Sequence, residues 1–138
     1  MNIFLDANIL VSVLNKEYPL YPNTSRILSL SKTSGFTIFT SPLCLAIAFY
    51  FAEKKHGREM AKKKIALVID HISISSVDEN TVSKAIRNKR ISDFEDGMEY
   101  YSAIQAACTC IVTEDTDDFF FSSVEVIRSE KFVEKYLV

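Results

Sequence analysis

Short apolar runs alternate with longer segments in which apolar residues recur every three or four positions in this chain of 138 residues. The short runs predict strands, and the longer periodic segments predict helices. The predicted strands cover residues 2–6, 36–40, 71–75, 108–113 and 124–127. The predicted helices cover residues 8–15, 24–34, 42–56, 58–70, 78–88, 94–107 and 129–137.

Three of these helices carry start signals. Asn23 or Thr24 can cap the second helix, and Ser41 followed by Pro42 is typical of the start of the third. Asp93 can cap the sixth helix. The third helix is apolar almost all round over its first half, so we expect it to be deeply buried.

Strands alternate with helices along the whole chain, and this order predicts a central, mainly parallel sheet covered by helices on both faces. We therefore expect one domain over residues 1–138 with a three-layer α/β/α architecture. Ligands of such sheets bind beyond the carboxyl ends of the strands. Asp6 and Thr113 both stand at predicted strand ends of this kind.

Composition narrows the functional classes. Three glycines and three prolines argue against an all-β fold rich in tight turns. A net charge of −2 argues against broad, nonspecific nucleic-acid binding, although a local basic face is compatible with it. The chain shows no signal peptide and no apolar stretch of about 18 residues, so we expect no membrane span. Its three cysteines predict reduced, buried thiols and a cytoplasmic protein.

Two short windows are unusually acidic. One begins the sixth predicted helix, and the other directly follows the fourth predicted strand. A parallel sheet would bring both windows close to Asp6, which follows the first strand. The seven acids of the windows are Asp93, Glu95, Asp96, Glu114, Asp115, Asp117 and Asp118.

Crowded carboxylates favour a divalent cation. Mg²⁺ and Mn²⁺ prefer carboxylate oxygens, and a bound cation removes the repulsion between them and can activate water for attack on phosphorus. Structural roles explain some of the same residues, because an aspartate can cap a helix and acids are favoured in its first turn. For Asp6 the pattern alone leaves capping and metal binding open. Glu114 and Asp117 are expected to face solvent.

Four stretches of the chain together match the pattern of one protein family. They are FLDANIL at the start, SPLCLAIAFYFAEKKHG in the third helix, DFEDGMEYYSAIQAACTCIVTEDTDDF in the second half, and SEKFVEKY near the end. With them the chain resembles a PIN-domain ribonuclease, of the kind that serves as the toxin in bacterial toxin–antitoxin pairs. The resemblance covers nearly the whole chain and implies a PIN-like fold.

The resemblance also implies roles for individual residues. It implies Asp6, Asp96 and Asp118 as metal ligands for Mg²⁺ or Mn²⁺, with Asp115 as a further catalytic acid. Asn8 and Thr113 would support the site. The implied activity is metal-dependent endoribonucleolytic hydrolysis of RNA.

One position departs from the family pattern. PIN nucleases usually carry a glutamate in the third helix, and the alignment puts Ile47 at or beside that position. Asp93 or Glu95 could supply a substitute carboxylate. The alternative is a catalytically degenerate PIN domain that binds RNA or protein without cutting.

The remaining expectations concern partners. Arg87, Lys89 and Arg90 precede the first acidic window and could hold RNA phosphates at the rim of the site. Phe119 is expected in the core, and either Phe120 or Phe121 at the surface. The resemblance implies a small antitoxin protein as a partner and a homodimer.

Overall fold

A single five-stranded sheet forms the centre of the protein, for which a computed structural model describes residues 1–137. All strands are parallel, and their order across the sheet is β3-β2-β1-β4-β5. The strands are β1 (Asn2–Leu5), β2 (Thr37–Thr40), β3 (Ser73–Ile74), β4 (Cys110–Val112) and β5 (Glu125–Ile127). The parallel sheet predicted from the sequence is confirmed.

Within the described residues, seven α-helices flank the sheet and complete the α/β/α architecture, as predicted. They are α1 (Ala7–Leu14), α2 (Tyr21–Ser29), α3 (Pro42–His56), α4 (Arg58–Ile69), α5 (Glu79–Arg87), α6 (Phe94–Gln105) and α7 (Ser129–Tyr136). Two 3₁₀ turns, Leu30–Lys32 and Thr116–Phe119, lie between these elements. No helix within residues 1–137 combines the length and the apolar character needed to cross a membrane.

The core is centred on β1, the middle strand of the sheet. Ile3, Phe4 and Leu5 are completely buried. In the sheet register Phe4 lies between Phe39 of β2 and Ile111 of β4. A strand that is covered on both faces of the sheet and paired along both edges is apolar at nearly every position. This explains why β1 shows no alternation with polar residues.

The chain changes direction across the sheet at β1. The connections from β1 lead to β2 and β3 on one side, and β4 and β5 fill the other side. Beyond the strands, the Asp6 amide donates to the Val112 carbonyl (3.1 Å) and the Thr113 amide to the Ile127 carbonyl (3.0 Å). Asp6 and Thr113 therefore flank the crevice between β1 and β4 at the topological switch point, where such sheets bind ligands.

The start of α2 differs from the sequence prediction. The helix begins at Tyr21 instead of residue 24, because Pro22 is tolerated in a first helical turn. Neither proposed cap serves that role. Thr24 lies inside the helix, fully buried, and its hydroxyl accepts a hydrogen bond from Ser12 (2.9 Å).

The prediction that α3 is deeply buried is wrong for one of its faces. Of its residues, Cys44, Ala48 and Ala52 are buried, whereas Tyr50 is 53% and Phe51 45% exposed. The helix packs on α1 and α4. An almost uniformly apolar sequence carries no periodicity that would distinguish the packed face from the free one.

Candidate metal centre

A cavity of about 470 Å³ opens at the carboxyl ends of β1 and β4. Its walls come from α1, α3, α6 and the segment after β4. The lining residues include no lysine, arginine or histidine. They include nine carboxylates, namely Asp6, Glu17, Asp93, Glu95, Asp96, Glu99, Glu114, Asp115 and Asp118.

Asp6 both caps a helix and lines this cavity. Its Oδ1 accepts a hydrogen bond from the Ala7 amide (2.7 Å) at the start of α1. Its Oδ2 accepts one from the Thr113 hydroxyl (2.8 Å), and only 8% of the residue is exposed. The two readings of Asp6 are therefore compatible, since capping fixes the carboxylate at the cavity wall.

Asn8 ties α1 to the segment after β4. Its side-chain amide donates to the Thr113 hydroxyl (3.1 Å) and to Asp115 Oδ2 (3.2 Å). Its Oδ1 accepts a hydrogen bond from the Glu114 amide (3.2 Å). These contacts hold the acidic loop after β4 beside Asp6.

The first turn of α6 supplies three more acids. Asp93 is the N-cap, because its Oδ1 accepts from the Asp96 amide (3.2 Å), and it also lines the cavity. Glu95 and Asp96 follow it. Burial, then the negative charges of Asp93, Asp118 and Asp6, raise the pKa of Asp96 to about 7. The chain thus holds these carboxylates close enough to repel one another.

Asp115 and Asp118 occupy the more open side of the cavity, and both are exposed. The Asp118 amide donates to the Asp115 carbonyl (3.1 Å) in the 3₁₀ turn. Burial, followed by the charges of Asp115 and Asp6, raises the pKa of the Asp118 carboxyl. The prediction that Glu114 faces solvent is wrong, because its Oε2 accepts from the Ser129 amide (3.0 Å) and so holds the start of α7.

Glu99 of α6 is a cavity residue that the sequence reasoning missed. It is 1% exposed, and its Oε1 accepts a hydrogen bond from the Cys44 thiol of α3 (3.3 Å). Its Oε2 has no hydrogen-bond partner among residues 1–137. Ligand atoms of Asp6, Cys44 and Glu99 lie within 4.8 Å of one another. Burial, then the negative charge of Asp6, raises the pKa of Glu99 to about 10.

The three basic residues named from the sequence lie outside the acidic cavity, and all are exposed. The Arg90 guanidinium lies 5.9 Å from the ring centre of Phe120, two residues after Asp118. Arg87 lines a separate groove with Tyr101. Lys89 lies in the turn that joins α5 to α6.

The aromatic run after Asp118 divides between core and surface, as predicted. Phe119 and Phe121 are buried, and Phe120 is 60% exposed.

The family that is described as the PIN domain matches residues 2–117 of this chain. This protein belongs to the PIN-domain family. It is also 24% identical to Ribonuclease VapC1 of Aquifex aeolicus (strain VF5), over 97% of this chain and 94% of the relative. The resemblance expected from the sequence is confirmed.

Solved structures that share the fold of this PIN domain include two from bacterial VapBC systems. VapBC2 from Rickettsia felis, bound to a DNA fragment from its promoter, has a TM-score of 0.71 and 20% identity, over 93% of this chain and 98% of the other. VapC20 of Mycobacterium tuberculosis, described as a Sarcin-Ricin loop cleaving toxin, has a TM-score of 0.69 and 16% identity, over 90% and 98%.

The cavity of this PIN domain fits a hard divalent cation. Its carboxylates face one another without a basic side chain between them, and the buried Oε2 of Glu99 has no hydrogen-bond partner among residues 1–137. Carboxylate oxygens are the ligands that Mg²⁺ and Mn²⁺ prefer. Ile47, at or beside the position where the family resemblance implies a glutamate, also lines the cavity and is apolar.

Proposed function

We propose that this PIN-domain protein is a metal-dependent endoribonuclease of the toxin type, which hydrolyses phosphodiester bonds in RNA. The observation that carries the proposal is the cavity in which carboxylates from β1, α6 and the segment after β4 converge without a basic side chain. The similarity to Ribonuclease VapC1 supports RNA as the substrate class.

The cation would be held by Asp6, Asp96 and Asp118, with Asp115 supporting them. Bound Mg²⁺ or Mn²⁺ supplies Lewis-acid activation of water and neutralises charge at the phosphodiester. The lining residues include no histidine that could act as a general base. The task of the protein is therefore to hold its carboxylates in place and to present the RNA backbone to them.

The neighbours of the proposed ligands serve that task. Thr113 and the Ala7 amide fix the two oxygens of Asp6 through hydrogen bonds of 2.8 and 2.7 Å. Asn8 orients Asp115, and Asp93 fixes the first turn of α6 through the Asp96 amide. Asp6 is the best restrained of the ligands, since both of its oxygens accept short hydrogen bonds.

RNA would approach along the open side of the cavity. The exposed ring of Phe120 offers a stacking surface for a base, and Arg90 beside it offers a charge for a phosphate. Lys89 and Arg87 would extend the positive charge along the turn before α6.

Protein partners are part of the proposal. Exposed apolar side chains on α3 and α4, among them Tyr50, Phe51 and Leu67, suit a protein interface. We propose a small antitoxin and a second copy of the chain as the partners, and the similarity to the VapBC2 structure supports the first. Light scattering of the protein with and without a co-expressed antitoxin measures both assemblies.

The variant Asp6→Asn tests the proposed function. Asparagine keeps the cap and most of the shape but removes the charge, so we expect RNA cleavage in Mg²⁺ or Mn²⁺ to fall by about 100-fold or more, which corresponds to about 2.7 kcal/mol of transition-state stabilisation. Asp117→Asn is the matched control, because Asp117 is exposed and does not line the cavity. Unchanged cleavage by Asp6→Asn protein of equal purity would contradict the mechanism.

The same preparations separate the catalytic proposal from its alternative. The Asp6→Asn protein should still bind RNA with a salt-dependent affinity, because the basic and aromatic rim is intact. The alternative, a degenerate domain that binds without cutting, is favoured by the apolar Ile47. It predicts RNA or protein binding by the native chain and no cleavage in either cation.

A further inference from the structure

We infer that Glu99 supplies, from α6, the carboxylate that this chain lacks at Ile47 of α3. The inference deepens the proposed function and rests on it, since it assigns an additional cation ligand to the same cavity. It moves the search for the substitute away from Asp93 and Glu95, the two acids that the sequence suggested.

The burial of Glu99 is the first step. Charged carboxylates are almost never fully buried unless a partner compensates them, and Glu99 is 1% exposed. The Cys44 thiol donates to Oε1, and a thiol is only a weak donor. Oε2 accepts no hydrogen bond within residues 1–137. One oxygen of a buried acid is thus left without the partner that its location demands.

The direction of Glu99 is the second step. It lines the same cavity as Asp6 and Asp96, and its ligand atom lies within 4.8 Å of that of Asp6. Two carboxylates this close repel each other, and a proton or a cation between them relieves the repulsion. A divalent cation satisfies both oxygens, whereas a single proton leaves the remaining acids of the cavity uncompensated.

Position within the fold is the third step. Glu99 lies one helical turn after Asp96, so both side chains project from the same face of α6. Cys44 lies one turn before Ile47 on α3, and its contact with Glu99 joins the two helices. Glu99 and Ile47 line the same cavity, so the carboxylate of Glu99 enters the space that a glutamate at position 47 would share.

The two acids named from the sequence are less suited to the role. Asp93, the N-cap of α6, is exposed, so water can compensate its charge. Glu95 is exposed at the cavity margin, where water can compensate its charge. Glu99 is the only one of the three that combines full burial with an oxygen lacking a partner in residues 1–137.

Glu99→Gln tests the inference through Mn²⁺ binding, measured by calorimetry on the purified chain without RNA. Glutamine keeps the size of the side chain and the hydrogen bond from Cys44 but removes the charge. We expect the Mn²⁺ affinity to fall by about 10- to 100-fold. Glu95→Gln makes the same change one turn earlier on the same helix and should cost less affinity. Glu130→Gln, exposed on α7 and outside the cavity, should leave the affinity unchanged.

A second variant returns the carboxylate to α3. In Ile47→Glu combined with Glu99→Gln, the acid enters the cavity from α3, and we expect at least part of the lost Mn²⁺ affinity to return. Circular dichroism and urea denaturation in EDTA show whether each variant is folded. If Glu99→Gln disrupts folding, Glu99→Asp replaces it, because the shorter acid keeps the charge but withdraws the oxygen and should still weaken Mn²⁺ binding.

The outcomes are separable. Native-like Mn²⁺ affinity in Glu99→Gln, or a larger loss in Glu95→Gln, overturns the inference while the proposed nuclease function stands. Mn²⁺ binding that depends on Glu99 in a protein that does not cleave RNA supports the inference and overturns the proposed function. A native chain that binds no Mn²⁺ at millimolar concentration overturns both.

Discussion

Two groups of carboxylates in this PIN domain differ in what lies opposite them. Glu125 in β5 accepts hydrogen bonds from the Lys135 ammonium group (2.5 Å) and from the Tyr136 hydroxyl, both on α7. Burial alone would raise the pKa of Glu125, but these two hydrogen bonds outweigh it and lower the pKa. In the cavity, Asp96 and Glu99 face other carboxylates, and burial with this repulsion raises their pKa values to about 7 and about 10.

The two groups differ in whether the chain itself supplies a compensating positive charge. At the β5–α7 contact the chain supplies the opposite charge, so the acid contributes to folding and needs nothing further. In the cavity the chain brings acids together and supplies no basic side chain among the lining residues. Such an arrangement costs stability in the free protein, and a ligand of positive charge would offset the cost.

Adding Mn²⁺ should produce the largest effect on this comparison. At about 100 times the dissociation constant, a cation that binds only the folded chain stabilises it by about 2.7 kcal/mol. Urea denaturation in Mn²⁺ and in EDTA measures the difference. The Asp6→Asn protein should show a much smaller gain. Equal unfolding midpoints for the native chain in Mn²⁺ and EDTA would mean that the cavity is not a cation site.

The pH dependence of the metal-free protein should show the next largest effect. The pKa of Asp96 is raised from 3.8 to about 7, so the folded chain binds more protons than the unfolded chain between these values. Its stabilising contribution is complete below about pH 3.8 and is lost as the pH rises through about 7. After solvent screening of a half-buried carboxyl, we expect a loss of roughly 1–2 kcal/mol.

Urea denaturation in EDTA at pH 5 to 8 measures this loss, and Asp96→Asn is the matched variant. Asparagine does not titrate, so the variant should lose less stability than the native chain over the same range. Glu99 contributes to the slope in both proteins, because its raised pKa has the same sign. Identical slopes for the native chain and the variant would show that Asp96 does not experience the repulsion described above.

The sequence was sufficient for the fold and for the edge of the sheet where the candidate site lies. The alternation of strands and helices predicted the parallel sheet, and the positions of Asp6 and Thr113 after predicted strands pointed to the carboxyl ends of the strands. The sequence did not indicate that Glu99 lines the cavity. That residue sits between Met98 and Tyr100 on a helix whose apolar residues suggest a packed face, and acids in such helices usually point to solvent.

A signal for Glu99 was nevertheless present in the spacing. Asp96 and Glu99 are three residues apart on one predicted helix, and this spacing places both on the same face. The prediction instead sought the missing acid beside Asp96, in the first helical turn, where acids are also favoured by the helix dipole. Contacts between α6 and α3, such as that of Glu99 with Cys44, depend on how the helices pack and cannot be deduced from either helix alone.

Lys135→Met tests the other side of the comparison and should have the smallest effect. The pair it forms with Glu125 is largely exposed, with 55% of the lysine and 28% of the glutamate side chain accessible, so its loss should lower the free energy of unfolding only slightly. The pKa of Glu125 is lowered from 4.5, so the contribution of the pair is present above about pH 4.5 and lost below it. The native chain and the variant should therefore converge in stability as the pH falls, opposite in sign to the effect of Asp96. Urea denaturation from pH 3.5 to 7 in EDTA measures this convergence.

Mn²⁺ should stabilise the native chain and Lys135→Met equally, because the β5–α7 contact already contains its own positive charge. A reduced gain from Mn²⁺ in this variant would show that the two groups of carboxylates are coupled and that the comparison does not hold.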